Sequence, residues 1–189
     1  MLIDTLKKTI KLKIVYYGIA QSGKTTNVDF LSKHYGISLL SFDTKGERTL
    51  VFDFITRKVN FEDMQISFAI YTTPGQSIYK DIRKTVMKGV DGVIFVVDAQ
   101  KERLEENIAF IETLKQDLRF TGRRFEDIPL IFQYNKLDLP NALDPEILEK
   151  EINVYQVPST RAIAIRGVGV VETLDLMIEK LAKKIKAIV

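Results

Sequence analysis

Apolar runs and amphipathic stretches alternate along the whole chain. Lys11–Tyr17, Thr49–Arg57 and Gln65–Tyr71 are rich in β-branched and aromatic residues and predict strands. Gly92–Asp98 (GVIFVVD) and Pro129–Tyr134 (PLIFQY) are nearly continuous apolar runs, as expected of strands covered on both faces of a parallel sheet. One more short strand is expected from Asn153–Pro158 with Ala162–Ala164. Between the runs, Arg103–Leu118 places Leu104, Ile108, Ile111, Leu114 and Leu118 at helical spacings of three and four. Val171–Ile188 repeats that pattern with Leu174, Met177, Ile178, Leu181 and Ile185, and Thr25–Lys33 and Ser77–Met87 are shorter helical candidates. Strands alternating with helices predict an α/β fold: a mixed, mostly parallel central sheet flanked by helices on both faces. Ligands are then expected at the carboxyl ends of the strands. No linker, repeat or low-complexity segment interrupts the pattern, so residues 1–189 read as a single domain.

Composition narrows the function classes. A chain of 189 residues with 46% hydrophobic content can bury one core of ordinary size. Its net charge of +3 is spread thinly, which argues against nucleic acid as the main partner. The absence of cysteine excludes disulfides, thiolate chemistry, and prenyl or palmitoyl anchors; Leu2 in place of glycine excludes myristoylation, so no lipid anchor is expected. The first ten residues lack the build of a signal peptide, and no run approaches the roughly 18 apolar residues of a spanning helix. A soluble cytoplasmic protein is the expectation. The lysines near the carboxyl end, Lys180, Lys183, Lys184 and Lys186, read as the solvated face of a helix, and the single histidine, His34, as a surface residue.

Two short motifs carry chemistry. Gly18-Ile-Ala-Gln-Ser-Gly-Lys-Thr25 fits G-x-x-x-x-G-K-[ST] between a predicted strand and a predicted helix, the context in which that pattern cradles phosphates. Its glycines let backbone N–H groups turn inward, and the helix adds its positive end. Gly18, Gln21, Ser22, Gly23, Lys24, Thr25 and Thr26 are the expected phosphate-loop contacts. Lys24 would neutralise β- and γ-phosphate oxygens, and the Thr25 hydroxyl would ligate Mg²⁺. After the strand Pro129–Tyr134 comes Asn135-Lys-Leu-Asp138. Guanine presents adjacent donors at N1 and N2 that a carboxylate such as Asp138 accepts together, and adenine lacks that pair. Asn135 would tie this loop to the phosphate loop, and the stem of Lys136 would lie over the base. Alone, N-K-x-D is compatible with a polar turn; following a phosphate loop, it points to GTP rather than ATP.

In this order the motifs resemble those of Ras-like small GTPases over nearly the whole chain. Four segments, Lys13–Gly18, Ser41–Phe54, Tyr71-Thr-Thr-Pro-Gly-Gln76 and Lys88–Asp98, are similar to the bacterial mutual-gliding-protein A (MglA) family in particular. That resemblance implies a P-loop switch that binds GTP or GDP with Mg²⁺ and hydrolyses GTP slowly. It makes Thr49 a second magnesium ligand and Arg48 an arginine finger supplied from the same chain. Gln76, after Gly75, would orient the attacking water. Ala164 in Ile163-Ala-Ile165 would offer its backbone N–H to the guanine oxygen. The implied partner is a roadblock-domain (MglB-like) protein that promotes hydrolysis, with cell polarity or motility as output. Thr72 stands where most Ras-like proteins carry an aspartate that holds magnesium through water, and Asp53 and Asp98 are the candidates to compensate. Ala20 stands where glycine is usual, and its methyl group is expected to slow hydrolysis.

Two other readings compete. A GTP-holding scaffold with negligible turnover would suit Ala20 and Thr72, against Arg48, Thr49 and Gln76. A small-molecule P-loop kinase would need an arginine-rich lid, whereas Asn135–Asp138 occupies a base-reading position.

Overall fold

The structure, a computed structural model, describes residues 2–4, 9–43, 50–61 and 64–186. Among these, the sheet runs in the order β3 (Leu40–Asp43), β4 (Leu50–Phe61), β5 (Met64–Thr72), β2 (Thr9–Tyr17), β6 (Gly92–Asp98), β7 (Leu130–Asn135) and β8 (Ser159–Arg161), while β1 (Leu2–Asp4) pairs with the start of β2. From β5 to β8 every pairing is parallel, and β3–β4 and β4–β5 are antiparallel. This is the mixed, mostly parallel sheet of a P-loop α/β fold.

Helices cover both faces, and strand alternation sorts side chains between them. Ile14, Tyr16, Ile94, Val96 and Ile131 pack with Val28 and Leu31 of α1 (Lys24–Tyr35) and with Leu174, Met177 and Leu181 of α5 (Val170–Lys186). Their neighbours Val15, Tyr17, Val93, Phe95, Val97 and Phe132 point the other way. They meet Met87 of α2 (Lys80–Met87), Ile111 and Leu114 of α3 (Leu104–Phe120), and Leu148 of α4 (Pro145–Glu151). All seven residues of β6 and all six of β7 are buried, which is why both read as nearly continuous apolar runs.

The last strand differs from its expectation. It occupies Ser159–Arg161, between the two segments proposed for it. Asn153 instead turns the chain, accepting from the Val157 N–H and donating to the Val157 carbonyl. No helix among the described residues is long and apolar enough to cross a membrane. His34 is exposed and stacks on Phe30.

Candidate functional site

Strand β2 ends at Tyr17, and residues 18–23 loop directly into α1. Gly23 adopts φ 103°, and a Cβ there would lie 2.2 Å from Nδ2 of Asn135, so the position excludes a side chain twice over. Helix α1 starts without a side-chain cap and without an acidic residue in its first turn, leaving its positive end open. Lys24 folds back over the loop and donates to the carbonyls of Gly18 (2.9 Å) and Ile19 (2.5 Å). The side chain is 7% exposed and meets no carboxylate among the described residues. Burial, then repulsion from Arg83 and Lys136, pulls its pKa from 10.5 down to about 7. A buried cation facing only carbonyl dipoles lacks an anion. Ser22 beside it is fully buried with its hydroxyl unpartnered among the described residues, and the Thr25 side chain is exposed on the first turn.

The second loop begins where β7 stops. Asn135 donates from Nδ2 to the Ser22 carbonyl (2.8 Å), making the expected tie between the two loops. A cavity of about 330 Å³ opens here, bordered by Gln21, Gly23, Thr26, Lys136, Asp138 and Ile165 among others. Asp138 lies at its edge, 3.6 Å from the Arg166 guanidinium. A larger groove of about 550 Å³ lies elsewhere, between α4, β8 and the start of α5, and contains none of the motif residues. The Ala164 N–H, at the border of this cavity, donates to Oδ1 of Asn135 (2.9 Å). Ile165, one residue on and also bordering the cavity, is the neighbouring backbone position.

Across the phosphate loop, β5 ends at Thr72, whose hydroxyl accepts from the Asp53 N–H (2.8 Å) and lies 3.3 Å from the Asp53 carboxylate. Asp53 is 1% exposed and also accepts from Ser41 (2.9 Å). Of the two carboxylates left open by the sequence, Asp53 stands beside Thr72, while Asp98, at the end of β6, is taken by Lys136 (2.6 Å). Gly75 lies against the phosphate loop: a Cβ there would approach Ala20 N to 2.2 Å and the Ile19 carbonyl carbon to 2.4 Å. Gln76 follows with its side chain exposed. Arg48 and Thr49 lie outside the described residues.

Sequence reasoning missed the support behind Gln76. Arg83 of α2, 2% exposed, donates through Nε to Asp117 of α3 (2.6 Å), and Tyr17, the residue before the phosphate loop, donates to the same oxygen (2.8 Å). Arg83 Nη1 also approaches the Gln76 carbonyl at 3.5 Å. Burial and the Asp117 carboxylate hold the Tyr17 hydroxyl protonated far above its usual range.

Comparison with known proteins fits this arrangement. Residues 1–186 match the ADP-ribosylation factor family. The chain is 39% identical to the mutual gliding-motility protein MglA of Myxococcus xanthus over 97% of both chains. It is also 27% identical to human ADP-ribosylation factor-like protein 4D, covering 93% of this chain and 86% of that one. ADP-ribosylation factor-like protein 2 of Arabidopsis thaliana is 25% identical over 95% of this chain and 92% of its own.

Proposed function

The chain belongs to the ADP-ribosylation factor family of GTP-binding small GTPases, and from that membership we propose a magnesium-dependent switch that turns GTP over slowly until a partner accelerates it. The observation that carries the proposal is Lys24. Its ammonium is buried beside an uncapped helix end with carbonyls as its only partners among the described residues, an arrangement complete only when an anion enters.

Each residue then has a task. Gly18, Gln21, Ser22, Gly23 and Thr26 shape and line the phosphate cradle, and Lys24 places its charge on the phosphate oxygens. Asp138 accepts from guanine N1 and N2, Lys136 packs its stem along the base, and the Ala164 N–H, which borders the cavity, meets the guanine oxygen. The donor set suits magnesium, a hard cation that prefers oxygen ligands and keeps few protein ones beside substrate phosphates. Thr25 and Thr49 would ligate it directly, and Asp53, held by Ser41 and Thr72, would supply the charged acceptor that Thr72 lacks. When bound, the ion neutralises charge on the β- and γ-phosphate oxygens. Gln76 orients water, and Arg48 neutralises charge building between the β- and γ-phosphates in the transition state.

By the MglA resemblance, the accelerating partner is a roadblock-domain protein and the output is cell polarity or motility. Single-turnover GTP hydrolysis with Mg²⁺, for wild type and Arg48→Ala, with and without a roadblock-domain protein from the same organism, tests the reading. Slow turnover that the partner speeds, and that Arg48→Ala abolishes while GTP still binds, is expected. Tight GTP binding without hydrolysis under any condition would instead identify a scaffold.

A further inference from the structure

Asp98 is a buried carboxylate with no part in the chemistry above. It is 1% exposed at the carboxyl end of β6, and a charge so buried persists only when well paired. Lys136, in the base-reading loop, donates to its Oδ2 at 2.6 Å. Gln100 donates to its Oδ1 from both backbone (3.2 Å) and side chain (3.0 Å). Arg103 lies 3.9 Å from the same carboxylate through Nε and donates through Nη2 to the Ala20 carbonyl of the phosphate loop at 2.9 Å. Glu106 orients that guanidinium from the other side (2.6 Å), and Asn107 bonds the backbones of Asp98 and Arg103 together.

The result is a continuous line of contacts: Lys136, Asp98, Arg103, Ala20. It joins two loops that would hold opposite ends of one ligand, the base and the phosphates. A nucleotide leaves by parting those loops, so a contact between them acts on the rate of leaving. The Asn135–Ser22 bond is one such contact. We propose that Asp98 and Arg103 are positioning residues that clasp the base-reading loop to the phosphate loop and set how long a guanine nucleotide stays bound. This rests on the reading of the chain as a GTP-binding switch. It assigns Lys136 a second task, because its ammonium anchors the clasp while its stem meets the base.

The competing role for Asp98 is local: bracing the turn into α3 through Gln100. That role would lower stability and leave nucleotide release alone, so release is the quantity to measure. Protein loaded with N-methylanthraniloyl-GDP is chased with excess GDP in Mg²⁺, and thermal melting is recorded alongside. Asp98→Asn and Arg103→Ala are each expected to speed release about tenfold, the worth of one charge-assisted hydrogen bond. Arg103 is 30% exposed, so its truncation leaves the fold standing even if Asp98→Asn does not. The double variant should release no faster than the faster single one, because both residues serve one line of contacts. Arg103→Lys, still able to reach the Ala20 carbonyl with one donor, should recover most of the residence time. Release within twofold of wild type in both single variants, whatever happens to the melting temperature, would overturn the clasp and leave the GTP reading intact. A wild type that retains no guanine nucleotide would overturn both.

Discussion

Nucleotide binding should draw a proton from solvent at alkaline pH, and Lys24 is the reason. In the free protein its ammonium is buried against two carbonyls, with Arg83 and Lys136 repelling it, and its pKa falls from 10.5 to about 7. At about 1.36 kcal/mol per pH unit, keeping it charged there costs about 5 kcal/mol. The direction follows from proton counts. Between the folded and unfolded pKa values the unfolded chain carries the proton and the folded one does not, so the stability of the free protein rises as pH climbs from about 7 toward 10.5. Phosphates supply the missing anion and return the pKa toward its ordinary value. At about pH 8.5 the free lysine is mostly neutral and the bound one charged, so about one proton should enter per nucleotide. Terminal phosphates, with a last pKa near about 6, are fully ionised there and do not confuse the count. Calorimetric titration of GDP in two buffers of different ionisation enthalpy reads the proton directly. Uptake should shrink below about pH 6, and Lys24→Arg, which stays charged when free, should show none. Wild-type binding at about pH 8.5 without proton uptake would refute the argument, because Lys24 would then already be charged in the empty pocket.

Three further outcomes are expected. Gly75→Ala would drive a methyl into the backbone of Ile19 and Ala20; single-turnover assays should show hydrolysis lost while GTP still binds, with a stability loss of about 1–3 kcal/mol. Arg83→Met strands the buried Asp117 charge and should cost about 3–5 kcal/mol in urea unfolding. Arg83→Met with Asp117→Leu should recover most of it, since an apolar pair leaves no unpaired charge. Asp138→Asn should weaken GTP on the order of 100-fold or more and favour xanthosine triphosphate, whose C2 carbonyl matches the new amide donor; competition binding measures both.

Contiguous features were legible in the chain and dispersed ones were not. β6 and β7 announced themselves because burial on both faces makes nearly every residue before the strand end apolar. β8 could not: its residues Ser159, Thr160 and Arg161 are polar and partly exposed, and the strand is three residues long. Helix α4, seven residues opening on Pro145, is too short to display a helical period. In the site, Gly18–Thr25 and Asn135–Asp138 were readable because each loop holds its functional atoms within a few residues. The Asp53–Thr72 pair, the Arg103–Ala20 bond and the Tyr17–Asp117 bond span 19, 83 and 100 residues, distances over which no periodicity carries information. The Ala164–Asn135 bond, across 29 residues, is equally invisible to periodicity.

One residue in the readable part shows what the site asks of the core behind it. Gln133 sits inside the apolar run of β7, fully buried, where leucine or valine would pack without a polar atom to satisfy. Its Nε2 donates to Asn27 of α1 (2.9 Å) and to Thr173 of α5 (3.0 Å), while its Oε1 finds no partner among the described residues. An unmet buried acceptor costs about 1–3 kcal/mol, so packing alone does not explain the choice. Asn27, held by that bond, donates in turn to the Gly23 carbonyl (2.9 Å), the last residue of the phosphate loop. The line from α5 through β7 to α1 therefore ends on the loop whose shape the phosphates read. Hydrophobic contacts would hold α1 against the sheet but would tolerate small slides along it, whereas directional bonds set its axial position. A phosphate cradle built from backbone N–H groups depends on that position to within a fraction of an ångström, and stability given up in the core secures it.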